Sequence, residues 1–190
     1  HPATPQFALI DAALEAGVLD AEQAMLYKVD YGLDRDKLPA EYLPADATPV
    51  KCATPLIMEF ESMRDRLSSR TVATIDALLE PPAGDKAVYI SPSGRFRLTY
   101  LTTGLNAVPT ADTNPANGIP DYVERVATYL DTAWTTEITN LGFTAPPIAP
   151  YYNILFENME YYGYTTPLSG TTTRITLEND FAGFPANDDP

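Results

Sequence analysis

The hydrophobic pattern changes its period across 81-PPAGD-85, and this change limits the fold more than any other feature of the chain. Before it, apolar residues recur every three or four positions, the spacing of one helix face. Phe7, Ile10 and Leu14 make a first stripe that stops at Gly17. Asp20 reads as the N-cap of a second helix, with Gln23 placed to complete a capping box. Met25, Leu26, Val29 and Leu33 form the stripe of that helix, and the Pro-broken segment 34–49 follows as a connector. Leu56, Phe60, Met63 and Leu67 predict a third helix. Thr71, Ile75, Leu78 and Leu79 predict a fourth, capped by Ser68 or Ser69.

After the break the pattern becomes alternating, aromatic and β-branched. The run 95-RFRLTYLTT-103 reads as a strand. A polar loop then leads into a long helix from Pro120 to about Asn140. Its apolar face is Val123, Val126, Ala127, Leu130, Ala133, Trp134, Ile138 and Leu141, and Gly142 ends it. The runs 150-PYYNILFE-157 and 171-TTTRITLEN-179 predict two further strands, and Gly163 a turn between them. The expected architecture is therefore α+β: a helical segment over 1–80, a linker over 81–85, and over 86–190 a mixed sheet with one long backing helix.

Charge and the scarce residue types exclude several functions. Among 190 residues, 26 are acidic and 12 are Lys or Arg, a formal charge of −14. Such a chain is repelled by nucleic acid and by anionic membranes. No apolar run reaches the ~20 residues of a membrane span. His1 and Cys52 are the sole residues of their types. An internal Ser-His-Asp triad, a paired-His zinc site and an internal disulfide are all excluded. The chain opens His-Pro-Ala without Met, which suggests a processed terminus and a secreted protein. Tyr151, Tyr152, Tyr161, Tyr162 and Tyr164 read as strand packing or as a contact surface. Asp180, Asp188 and Asp189 read as a solvated tail or a second cation site. Asp188 and Asp189 are adjacent rather than facing across a cleft, so glycosidase chemistry is unsupported.

The loop 111-ADTNPANGIPDYVERV-126 carries the strongest chemical signal. Calcium takes six to eight oxygen ligands from carboxylates, amides, carbonyls and water. Counted back from the helix, Asn117, Gly118, Ile119 through its carbonyl, Asp121 and Glu124 match loop positions 5, 6, 7, 9 and 12 of an EF-hand-type loop. Asp112 and Asn114 each fall one residue early, as if one residue had been inserted at Pro115–Ala116. The alternative is structural. Asn-Gly makes a turn, Pro120 opens the helix, and Asp121 and Glu124 complement the helix dipole.

The pattern Asp-x-Asn-x-x-Asn-Gly-x-Pro-Asp-Tyr-Val-Glu resembles a loop in a family of secreted bacterial zinc metalloproteases of zincin-like type, where it lies between a first strand and a long helix. The segments 97-RLTYLTTGLNAVP-109, 161-YYGYTTP-167 and 174-RITLENDFAGFP-185 are similar to strands of that family. The segment 22-EQAMLYKVDYGLDRDKLPAEY-42 resembles the region preceding its protease domain. The resemblance implies a pro-region followed by the first half of a zincin-like domain, with calcium bound by Asp112, Asn114, Asn117, Ile119, Asp121 and Glu124. It also implies a zinc-binding His-Glu-x-x-His helix beyond Pro190, and this sequence contains no such motif. Zinc, and a peptide substrate, are expected only with that segment present, and the remainder of the precursor is then the expected partner. Within 50-VKCATPL-56, Cys52 loosely resembles the switch cysteine of matrix metalloproteases, whose thiolate occupies the fourth zinc position. The alternative for Cys52 is a small buried core residue. For the chain as a whole, the alternative is a noncatalytic extracellular module stabilised by calcium.

Overall fold

A computed structural model describes residues 5–148 and 150–185. His1, Asp188 and Asp189 lie outside the described residues. The expected α+β class is what the chain adopts: helices dominate the first half and a five-stranded mixed sheet the second. The chain divides into two compact units.

The first unit holds α1 (Ala8–Glu15), α2 (Ala21–Leu33), α3 (Thr54–Met63) and α4 (Ser69–Leu79). Two of them, α2 and α4, start at side-chain caps. Asp20 accepts the Gln23 N–H at 2.8 Å and donates its own to the Gln23 side chain at 3.3 Å, closing the expected capping box. Ser68 caps α4 by accepting the Thr71 N–H at 3.2 Å. Glu22 on α2 in turn accepts from the Ser68 N–H at 3.0 Å and from the Ser68 and Thr71 hydroxyls, which ties the start of α4 to α2. Those bonds hold the Glu22 carboxyl below its usual range. Arg64 follows α3 and forks onto Glu61 and Asp76 at 2.7–2.9 Å. Ile10, Val29, Ile57, Phe60 and Ile75 are fully buried in one core. Such burial contributes about 1.5–3 kcal/mol per side chain.

Three expectations for this unit need correction. Leu67 falls after α3, beyond a 3-10 turn at Arg64–Arg66. Cys52 is exposed in the connector before α3, and the buried neighbour is Ala53. The unit also contains Met159–Tyr164, which the division at 81–85 had assigned to the sheet. Met159, Tyr161 and Tyr164 belong to the helical core.

The second unit contains β1 (Lys86–Ile90), β2 (Phe96–Leu101), α5 (Asp121–Trp134), β3 (Tyr152–Glu157), β5 (Thr173–Glu178) and the end of β4 (Gly163–Pro167). The sheet order is β1-β2-β3-β5-β4. β1 and β2 form an antiparallel hairpin, while β2–β3 and β3–β5 are parallel. Parallel neighbours need a crossover, and α5 supplies the one between β2 and β3. Phe96, Leu98 and Tyr100 alternate inward from β2. They meet Ile154 and Phe156 of β3 and Tyr122, Val123, Val126 and Ala127 of α5. The β1–β2 turn is pinned to α5 by Asp131, which accepts from the Ser91 hydroxyl and the Ser93 N–H, both at 2.9 Å.

Here too the structure differs from expectation. β1 and β4 are additional strands, and Gly163 opens β4 instead of making a turn. The core-facing stripe of α5 ends at Trp134, where the helix widens into a π-helical segment, Thr135–Asn140. Ala133 and Leu141 are exposed and Ile138 is half-buried.

Candidate functional site

The acidic loop spans 111–120, between β2 and α5. Its ends are drawn together by the Asp121 N–H, which donates to the Ala111 carbonyl at 2.8 Å. Within this frame each predicted side chain has a definite place. Asp112 turns across the loop, accepting the Asn117 N–H at 2.9 Å and the Gly118 N–H at 2.7 Å, one on each oxygen. Gly118 permits this fold-back because its φ of +89° is costly for a residue with a Cβ. Asn117 links two further members. Its amide donates to Glu124 at 2.9 Å, and its side-chain oxygen accepts the Ile119 N–H at 2.9 Å. Ile119 lays its side chain against the sheet-unit core, which anchors the loop's exit.

Asp121 begins α5, yet it does not cap it. Its carboxylate reaches back and accepts the Thr113 and Asn114 N–H groups at 3.1 Å and the Thr113 hydroxyl at 2.6 Å. The Thr113 hydroxyl is the main cause holding the Asp121 carboxyl below its usual range, followed by the Asn114 N–H. Asn114 enters this network through its backbone, and the Asn114–Pro115 peptide is cis. Pro120 occupies the N-cap position, without a side-chain cap. Asp121 and Glu124 lie in the positive first turn of α5, as the structural alternative expects, and their side chains also close the loop; Pro120 stands one place earlier, at the N-cap.

The apparent insertion at Pro115–Ala116 therefore leaves Asp112 pointing into the loop. Thr113, which strict loop counting puts at position 1, is not among the candidate ligands, and its bond to Asp121 was not legible in the sequence. Its role depends on an eight-residue fold-back that no periodicity announces. The same holds for Glu178 and Asn179 at the end of β5. Glu178 is buried, which raises its carboxyl, and accepts the Asp180 N–H at 2.6 Å. Asn179 donates to the Ala107 carbonyl at 2.5 Å and so steadies the chain leading into the acidic loop. Of the tail acids, Asp180 is exposed and accepts the Ala182 N–H at 2.7 Å.

The chemistry of the loop suits a hard cation: three carboxylates, two amide oxygens and the Ile119 carbonyl are all oxygen donors. Geometry qualifies the fit. The carboxylates of Asp112 and Asp121 are engaged with backbone N–H groups, and no group of three or more His, Cys, Asp or Glu placed to hold a metal occurs among the described residues. A carboxylate oxygen keeps a second lone pair when it accepts one bond, so ligation and loop closure are compatible. A zinc centre built on several His or Cys side chains cannot come from this sequence, which holds one of each.

No protein-family model matches the chain, and searches of curated proteins and of solved structures find no match.

Proposed function

We propose that the chain is the N-terminal portion of a secreted, calcium-binding, zincin-like metallopeptidase precursor, with the helical unit as its pro-region. The supporting observation is the acidic loop, where Asp112, Asn117, Asp121 and Glu124 are tied into one hydrogen-bonded turn at the start of α5. Calcium there would clamp the strand before the loop to the helix after it, a structural role. The clamp involves no reaction step. Peptide-bond hydrolysis would depend on a zinc-bearing segment outside this sequence, and a peptide would be the substrate only of that longer protein. Cys52, exposed in its connector, is accessible as a zinc ligand for such a segment.

The second reading is a noncatalytic extracellular module that uses the same loop for calcium-dependent stability. The single His of the sequence favours it for this chain taken alone. No helix among the described residues is long and apolar enough to cross a membrane, so neither reading calls on a helical anchor from them. The two readings separate at the coding sequence after Pro190. A His-Glu-x-x-His motif there supports the peptidase precursor. A stop codon, with no other chain supplying His, overturns it and leaves the module. Calcium itself is tested by isothermal titration of the whole chain: saturable binding that Asp121→Ala removes supports both readings, and no heat above the buffer control defeats both.

A further inference from the structure

The helical unit is assembled from two separate stretches of chain, the residues up to Pro81 and Met159–Tyr164. The short stretch is bound as an extended peptide would be. The Val50 N–H donates to the Glu160 carbonyl at 2.9 Å, and the Tyr162 N–H returns to the Val50 carbonyl at 3.0 Å. The Glu160 N–H donates to the Gly32 carbonyl at 2.8 Å, and the Ala53 N–H to the Gly163 carbonyl at 3.1 Å. Arg35 pairs with the Glu160 carboxylate at 3.1 Å. Between these bonds Tyr161 is buried to 1% exposure, and its hydroxyl donates to the Lys28 carbonyl at 2.6 Å. Gly32 makes room for it, since a Cβ there would stand 2.0 Å from Tyr161 Cε2. A helical glycine costs about 1 kcal/mol relative to alanine, and this ring is the reason for one.

We infer that the slot formed by Lys28, Gly32 and Val50 is a peptide-binding site for the chain's own Met159–Tyr164 segment, and that it retains the helical unit after cleavage of the linker between Pro81 and Lys86. A cut there leaves the two stretches of one folded core on different fragments, joined by backbone pairing and the Tyr161 anchor. Linker cleavage alone is therefore insufficient to release the helical unit. This holds whatever the acidic loop binds.

The test places a recognition sequence for a site-specific protease between Ala83 and Asp85 of the whole chain, cuts it, and runs the product on a native sizing column at micromolar concentration. The fragments are expected to co-elute, and their separation overturns the inference. Tyr161→Ala and Gly32→Ala chains, shown to be folded before cutting, are expected to separate after it. Co-elution as tight as in the unaltered chain would mean that something other than this slot holds the fragments, which also overturns the inference. Should either variant not fold, a synthetic peptide of residues 157–167 decides the matter. In excess it is expected to displace the C-terminal fragment of the cut native chain, whereas the same peptide carrying Tyr161→Ala is not. Equal behaviour of the two peptides rejects the slot.

Discussion

Asp30 lies near the end of α2 at 3% exposure, with Oδ1 lacking any hydrogen-bond partner. Burial pushes its carboxyl up to about 6; nearby Asp34 adds to the rise and Lys37 opposes it. The folded state therefore holds a proton that the unfolded chain, with a carboxyl near 3.8, has already lost. Between those two values stability falls as pH rises, and above about 6 the whole penalty is present. Asp30→Asn keeps the shape and removes the charge. It should stabilise the protein at pH 7.5 by about 1–3 kcal/mol, with the gain vanishing near pH 3.5. Urea melts at the two pH values check this, and an equal effect at both would show that ionisation is not the cause. Asp121 has the opposite sign. Its carboxyl is held low by Thr113, so its contribution is present above the ordinary Asp range and is lost as pH falls through it. Thr113→Ala should move the Asp121 titration, followed by carboxyl NMR, upward toward the ordinary value.

At the scale of elements, the acidic loop and α5 give the clearest contrasts. Val123 is fully buried against the sheet, whereas Leu141, on the same nominal helix face, is 65% exposed. Val123→Ala should cost about 2 kcal/mol of stability and Leu141→Ala less than about 0.5. Comparable losses in denaturant melts would place the end of the stripe wrongly. The reason the periodicity overran is physical: the pattern continues in the sequence, but past Trp134 the helix widens into its π-helical segment and leaves the core. The capping box at Asp20 and the Ser68 cap were legible because donor and acceptor lie within one turn. β1 and β4 were not. Both are edge strands in the sheet order, five residues long, and β4 starts with Gly and ends with Pro, residues that signal turns. Their pairing is a matter of the tertiary fold. The loop shows the same divide. Its donor types and its Gly118 turn are written in the sequence, while the Asp121–Thr113 and Asp112–Gly118 bonds exist only once the loop has closed. The exposure of Cys52 and the helical core that takes Tyr161 were not legible for a related reason, since both depend on which segment returns to cover a residue.

For the whole molecule, the formal charge of −14 makes two cation effects overlap, and they have to be separated. Any salt screens the repulsion among so many carboxylates, so adding NaCl at pH 7 should raise the melting temperature with or without a specific site. A specific site adds a term that saturates. At a hundredfold excess over Kd it amounts to about 2.7 kcal/mol. Melting curves at matched ionic strength in NaCl, MgCl2 and CaCl2, each repeated with chelator, divide the two. Calcium should exceed magnesium, because a loop of flexible carboxylates and amides suits the larger ion, which accepts irregular geometry. Asp112→Ala, Asp121→Ala and Glu124→Ala should each lower the melting temperature in chelator, since each side chain closes part of the loop. They should also abolish the calcium increment while leaving the sodium increment intact. That double signature is what a cation clamp requires. A chain that loses stability in chelator but retains the full calcium increment would have a loop that is structural only, with calcium held elsewhere. A chain in which calcium and sodium act alike at matched ionic strength would have no clamp, and its acidity would then serve solubility alone.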